Sequence, residues 1–132
     1  MPSLLRLTGA WMLVGLYACG IFVLSSLSHP PMVPAWELLH LDKLYHILAY
    51  GGLTFLLIRA LSLSYATRPS TSLALWAVIL AIVYGTSDEF HQAFTPDRMV
   101  SAYDLLADAT GASAVAGVWL RLRRRRPVLV KS

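Results

Sequence analysis

Four apolar runs of near-membrane length leave this chain few ways to fold. The first extends from Leu4 to Leu27 and the second from about Leu44 to Leu63. The third extends from Ser70 to Ser87 without a charge, and the fourth from Ser101 to Leu120. A helix needs about 20 residues to cross ~30 Å of hydrocarbon. Inside lipid, every backbone N–H and C=O must be paired by the chain itself, which makes helices the natural form for runs like these. Together they take up most of the 132 residues, so no separate soluble domain fits. Hydrophobic residues make up 57% and charged ones 14%, whereas soluble domains average about 45–50% and about 25%. That balance excludes a disordered chain, a coiled coil and most soluble enzymes.

The predicted fold is therefore all-α: a polytopic integral membrane protein with four transmembrane helices in a single domain over 1–132. The helices are expected at about 4–27, 41–63, 70–92 and 101–120, with a basic cytoplasmic tail over 121–132. The segment from Ser28 to Pro34 carries three prolines and cannot be a regular helix. Pro34 to His40 then reads as a short interfacial helix, with proline in its first turn and Trp36 at head-group level. Turns are expected around Arg68-Pro69 and Thr95-Pro96. Leu16-Tyr17-Ala18-Cys19 resembles a lipoprotein cleavage box. Tyr17 is bulky for that role, and the run stays apolar past Cys19, so an uncleaved helix is expected. As the lone cysteine, Cys19 excludes an internal disulfide and a cysteine-based zinc site.

Charge sets the expected orientation. With the N-terminus in the cytoplasm, nine of the eleven lysines and arginines lie inside: Arg6, Arg59, Arg68, Arg121, Arg123, Arg124, Arg125, Arg126 and Lys131. Lys43 and Arg98 lie outside. So do all seven acids and all four histidines. The arginine run that follows the fourth helix reads as a topology anchor on anionic lipid, and nucleic acid is not expected as a partner.

Polar side chains converge on the outer side. Asp42, Lys43, His46 and Tyr50 follow helical spacing in the second segment, with Lys43, His46 and Tyr50 on one face. Asp42, four residues before His46, is placed to hold its ring. Asp88, Glu89 and Gln92 occupy one side at the end of the third segment. Ser101, Asp104, Asp108 and Gly111 form a stripe along the fourth. Asp108 lies about 10 Å along its helix from Ser101. An aspartate at the centre of a membrane helix costs about 2.5–3.5 kcal/mol, so a proton, a cation or a partner such as Lys43, His46 or Arg98 must offset it. Mutual neutralisation could simply hold the helices together, and the small residues from Ala107 to Ala114 suit close packing. Eight or more polar side chains at one end of so small a bundle favour a functional pocket.

These residues resemble the VanZ-like family of small bacterial membrane proteins. Asp42-Lys43, His46 and Tyr50 match its D-K-x-x-H-x-x-x-Y motif. Asp88, Glu89, Gln92, Phe94, Pro96, Arg98, Ser101, Asp104 and Gly111 match a second motif position for position. Asp108 departs from it, since the family usually has asparagine there. The departure adds a carboxylate to the site. The resemblance implies the bacterial cytoplasmic membrane and an effect on the cell envelope; the charge distribution puts both termini on the cytoplasmic side. The family takes its name from a protein linked to teicoplanin resistance; a chain like this one need not confer resistance.

Three functions follow from the residues. The first is a site that binds or modifies an amphipathic envelope molecule, a lipid head group or lipid-linked cell-wall precursor. Lys43 and Arg98 would hold a phosphate there, Trp36 and Phe94 the apolar part. Tyr50, Gln92, Ser101, Asp42 and Asp108 would complete the binding set. His46 and Glu89, with Asp88 and Asp104, are the acid/base candidates, Asp42 orienting His46. No G-x-S-x-G marks a nucleophile, which leaves enzyme status open. The second is metal-assisted hydrolysis or transfer on Asp88, Glu89, Asp104, Asp108 and His46; the sequence requires no cofactor but offers ligands for a divalent cation. The third is an ion-linked transporter or structural subunit. Four helices would need a homo-oligomer to form a path, and the apolar inner half of the bundle argues against one.

Overall fold

The computed structural model of the protein describes residues 3–27, 41–95 and 101–125. Four α-helices account for nearly all of them: α1 (Leu4–Ser25), α2 (Leu41–Ser64), α3 (Ser70–Gln92) and α4 (Ala102–Arg124). No strand occurs among the described residues. At 22 to 24 residues each, the helices are about 33–36 Å long. By length and composition α1, α2 and α3 can cross a membrane; α4 matches them in length, but its composition does not meet the same standard. The expected interfacial helix at 34–40 lies outside the described residues, as do His29, His40 and the tail beyond Arg125.

Two boundaries differ from the sequence expectation. Helix α1 stops at Ser25 because Leu27 N–H donates to Leu24 O at 3.3 Å, a tighter turn that closes the helix. Helix α4 passes Leu120 and takes in Arg121, Arg123 and Arg124. The apolar pattern ends there, yet cations suit the negative end of a helix dipole. Arg123 also packs 4.7 Å from the Trp119 ring centre.

The short turn between Ser64 and Ser70 makes α2 and α3 antiparallel neighbours. Helix α2 is the hub: its largest interface is with α4, and it also packs on α1 and α3. The core joins Tyr50, Leu53, Leu57, Ile58 and Leu61 of α2 to small residues facing them, Ala74, Ala77 and Ala81 of α3 and Ala112 and Ala116 of α4. Small residues let backbones approach, which is what holds helices together when lipid removes most of the hydrophobic drive. Large apolar side chains such as Leu5, Met12, Leu16, Leu48, Phe90 and Leu106 are exposed. So broad an apolar surface fits hydrocarbon rather than water.

Helices α2 and α4 approach each other closely. A Cβ at Gly111 would overlap the carbonyl group of Ile47, which is backbone and cannot rotate away. Gly111→Ala is expected to force the two helices apart and cost about 1–3 kcal/mol, read as a lower melting temperature in detergent. An unchanged melting temperature would mean that this contact is looser than described.

Charge divides between the ends of the bundle. Arg6, Arg59 and Arg123, from three helices, line a cavity of ≈ 560 Å³ with Trp119. The other end, where α1 and α3 finish and α2 and α4 begin, carries the acids. Along α3 the buried stripe passes from Leu73, Ala77 and Ala81 through Gly85 to Asp88, Glu89 and Gln92. A helical stripe that packs apolar at one end thus delivers carboxylates at the other.

Candidate functional site

At the acidic end the helices place their polar side chains at graded depths. Asp42 and Lys43 stand at the mouth, their side chains 46% and 30% exposed. The floor is Asp108 and Tyr50, each 1% exposed, with Glu89 at 5%.

Lys43 Nζ joins α2 to α4. It donates to Asp42 Oδ2 at 2.6 Å and also pairs with Asp104 Oδ1 on the facing helix. Asp104 lies in the first turn of α4, where the helix dipole favours a carboxylate. One step deeper, His46 Nδ1 is 2.8 Å from Asp108 Oδ1. With Asp108 ionised, its oxygen only accepts and Nδ1 is the donor. The opposite ring nitrogen, Nε2, lies 3.9 Å from Asp104 Oδ2, beyond hydrogen-bond reach. Tyr50 lies parallel to the His46 ring, centroids 6.3 Å apart.

The expectation that Asp42 holds the His46 ring is thus corrected: the carboxylate bonded to that ring is Asp108, and Asp42 pairs with Lys43. The cause is the near-contact of Gly111 with Ile47, which brings α4 against α2 one turn from Asp108.

Asp88 accepts from Ser25 Oγ at 2.5 Å and from Gln92 Nε2 at 3.2 Å. With both oxygens engaged, it latches α1 to α3. Glu89 Oε2 accepts the backbone N–H of Ser101 at 2.9 Å, tying the end of α3 to the start of α4. Ser101 thus enters through its backbone. His91 turns toward α1, bonded to Ser26 Oγ at 3.1 Å and packed on Phe22. The sequence reading passed over Ser25; its one signal is a serine pair ending an otherwise apolar run. Arg98 lies outside the described residues.

Three buried polar atoms at this end have no hydrogen-bond partner among the described residues: Tyr50 Oη, Glu89 Oε1 and Asp108 Oδ2. Such groups are costly in a low-dielectric interior. Gly85 makes room for two of them, since a Cβ there would stand 2.7 Å from Asp108 Oδ2 and 3.1 Å from the Tyr50 ring. His46, Glu89 and Asp104 each offer a donor atom, all within 4.8 Å of one another.

An apolar groove lies beside this end of the bundle. A groove of ≈ 410 Å³ between α1 and α2 is lined by Leu16, Gly20, Ile21, Leu24, Leu48 and Tyr45, among others. The Tyr45 ring meets His46 edge-on at 6.0 Å. The groove thus reaches Tyr45, the residue next to His46 in sequence.

Compared with protein families, the chain matches the model described as VanZ/LLP1 over residues 6–123. Neither the comparison with curated proteins nor that with solved structures returned a match.

Proposed function

Because the chain belongs to the VanZ/LLP1 family, we propose that it is a bacterial inner-membrane protein that binds or modifies the head group of an amphipathic envelope molecule. The ligand class is a membrane lipid or lipid-linked cell-wall precursor, and glycopeptide sensitivity is the phenotype to follow. The carrying observation is the proximity at Tyr45: a groove suited to an acyl or prenyl chain is lined by Tyr45, whose ring lies 6.0 Å from that of His46 in a buried polar site suited to a head group. In an enzyme, His46 is the acid/base group, held in one tautomer by Asp108.

All four helices span the bilayer in this reading, with both termini cytoplasmic. Support for α4 comes from its faces: Asp104 and Asp108 are buried, while Tyr103, Leu106, Val118 and Leu122 point outward. In a Cys19→Ser background, an impermeant thiol reagent on intact cells is expected to label Thr95→Cys and not Ser132→Cys. The reverse pattern would invert the orientation.

Binding is tested by the lipids retained on purification and by titration with lipid-filled nanodiscs. His46→Ala, Glu89→Gln and Arg98→Ala should each reduce retention while the protein stays folded. Gly20 lines the groove and has nothing within 4 Å of an added Cβ, so Gly20→Leu projects a side chain from an open position into the groove. It is expected to weaken a long-chain ligand about tenfold, the equivalent of ~1.4 kcal/mol of lost tail burial, and to leave a short-chain analogue unaffected. Wild-type retention in all four variants would remove the reading.

A further inference from the structure

We propose that His46, Glu89 and Asp104 form a divalent-cation site, with His46 ligating through Nε2. This deepens the reading of the acidic end as the working site, which it presupposes.

The first argument is the His46 tautomer. Asp108 accepts the hydrogen on Nδ1; in the neutral imidazole the lone pair then falls on Nε2, which lies 3.9 Å from Asp104 Oδ2. A carboxylate behind a histidine is the usual support of a ligating imidazole, fixing its tautomer and raising its basicity. The separation of 3.9 Å is too long for a hydrogen bond and slightly wider than two ligands of one ion. Bonds of about 2.0–2.2 Å put neighbouring donors about 3.0–3.6 Å apart, and the three donor atoms lie within 4.8 Å of one another, so side-chain shifts of about 1 Å would close the set.

The second argument is Glu89. Its Oε2 is engaged by the Ser101 N–H, while Oε1 is buried with no partner among the described residues. A metal ion would satisfy that oxygen.

Charge gives the third. Among the described residues, Asp42, Asp88, Glu89, Asp104 and Asp108 gather at this end, and Lys43 is the fixed cation facing them. That excess of negative charge in a membrane protein's interior calls for a positive one. It also sets a problem for the proposed ligand, because a phosphate head group is repelled by so many carboxylates. A cation held by three protein ligands keeps a coordination position open, and a phosphoryl oxygen can take it. One imidazole and two carboxylates suit Zn²⁺ or Mn²⁺ better than Ca²⁺, which prefers an all-oxygen shell.

The test is metal binding to the full-length protein in detergent, stripped with chelator and titrated with Zn²⁺, Mn²⁺, Mg²⁺ and Ca²⁺. Wild type is expected to bind one equivalent of Zn²⁺ or Mn²⁺, with Co²⁺ giving a visible spectrum of a mixed nitrogen–oxygen site. Glu89→Gln and His46→Gln should weaken binding more than a hundredfold. Asp108→Asn should keep the stoichiometry and weaken binding about tenfold, as expected for a group that supports a ligand. Circular dichroism and melting establish that each variant is folded. His46→Gln is the safest of the three, since its amide can still donate to Asp108. No stoichiometric ion in wild type, or affinity unchanged in both Glu89→Gln and His46→Gln, overturns the site. Lipid retention measured in chelator separates the two proposals. No stoichiometric ion, with retention that is lost in His46→Ala, leaves the head-group reading standing and removes the cation. Stoichiometric metal with no lipid retained does the opposite.

Discussion

Asp108→Ala is expected to destabilise the protein by about 2–4 kcal/mol, while Asp108→Asn stays within about 1 kcal/mol of wild type. The alanine removes the acceptor of a buried imidazole N–H, worth about 1–3 kcal/mol, and leaves a void beside Gly85 and Tyr50 worth ~1 kcal/mol. Asparagine fills the same volume, and its Oδ1 can still accept from His46 Nδ1 at the 2.8 Å position. It also removes the charge of a carboxylate whose second oxygen has no partner among the described residues. Stability and metal affinity should therefore separate at this position: asparagine folds well and binds the divalent ion about tenfold more weakly. Thermal melting in detergent, followed by near-ultraviolet circular dichroism, reads the difference. Equal melting of alanine, asparagine and wild type would mean that the His46–Asp108 contact does not belong to the folded protein.

The helices were legible because lipid permits few alternatives. Runs of apolar residues as long as Leu4–Leu27 must satisfy their own backbone, and α1, α2 and α3 appear within two residues of the expected limits. Helix α4 was harder to read. Its acids and arginines break the apolar pattern, although the helix continues through them, because hydrophobicity marks burial in lipid and not the reach of backbone hydrogen bonds. Spacing also identified the polar faces of α2, α3 and α4. Pairing between helices was not legible. Asp42 and Asp108 are equally plausible partners for His46 on spacing and chemistry, and the choice depends on how closely α4 approaches α2. That distance is set by Gly111 against a backbone carbonyl, a contact visible only in three dimensions. Ser25 and Asp88 show the same limit: 63 residues separate a hydroxyl and a carboxylate that bond at 2.5 Å.

Lys43→Met should show how the acidic end keeps its charges together. Lys43 bridges Asp42 and Asp104 across α2 and α4. Its removal leaves Asp104 facing His46 with no lysine to balance it. Breaking a fully buried pair costs about 3–5 kcal/mol; with Lys43 partly open to solvent, about 1–3 kcal/mol is expected here. Asp104→Asn alone should also destabilise, by stranding Lys43. The double variant should be less destabilised than the sum of the two, with a coupling of about 1–2 kcal/mol. Simple additivity would mean that the pair contributes nothing to the fold. Added Zn²⁺ or Mn²⁺ then tests a second level. A divalent ion should bind Lys43→Met more tightly than wild type, because the competing ammonium has gone, and should restore its melting temperature. It should not restore the double variant, which lacks the Asp104 carboxylate. Rescue of both variants would locate the ion elsewhere, and rescue of neither would leave Lys43 as the counter-charge that the carboxylates depend on.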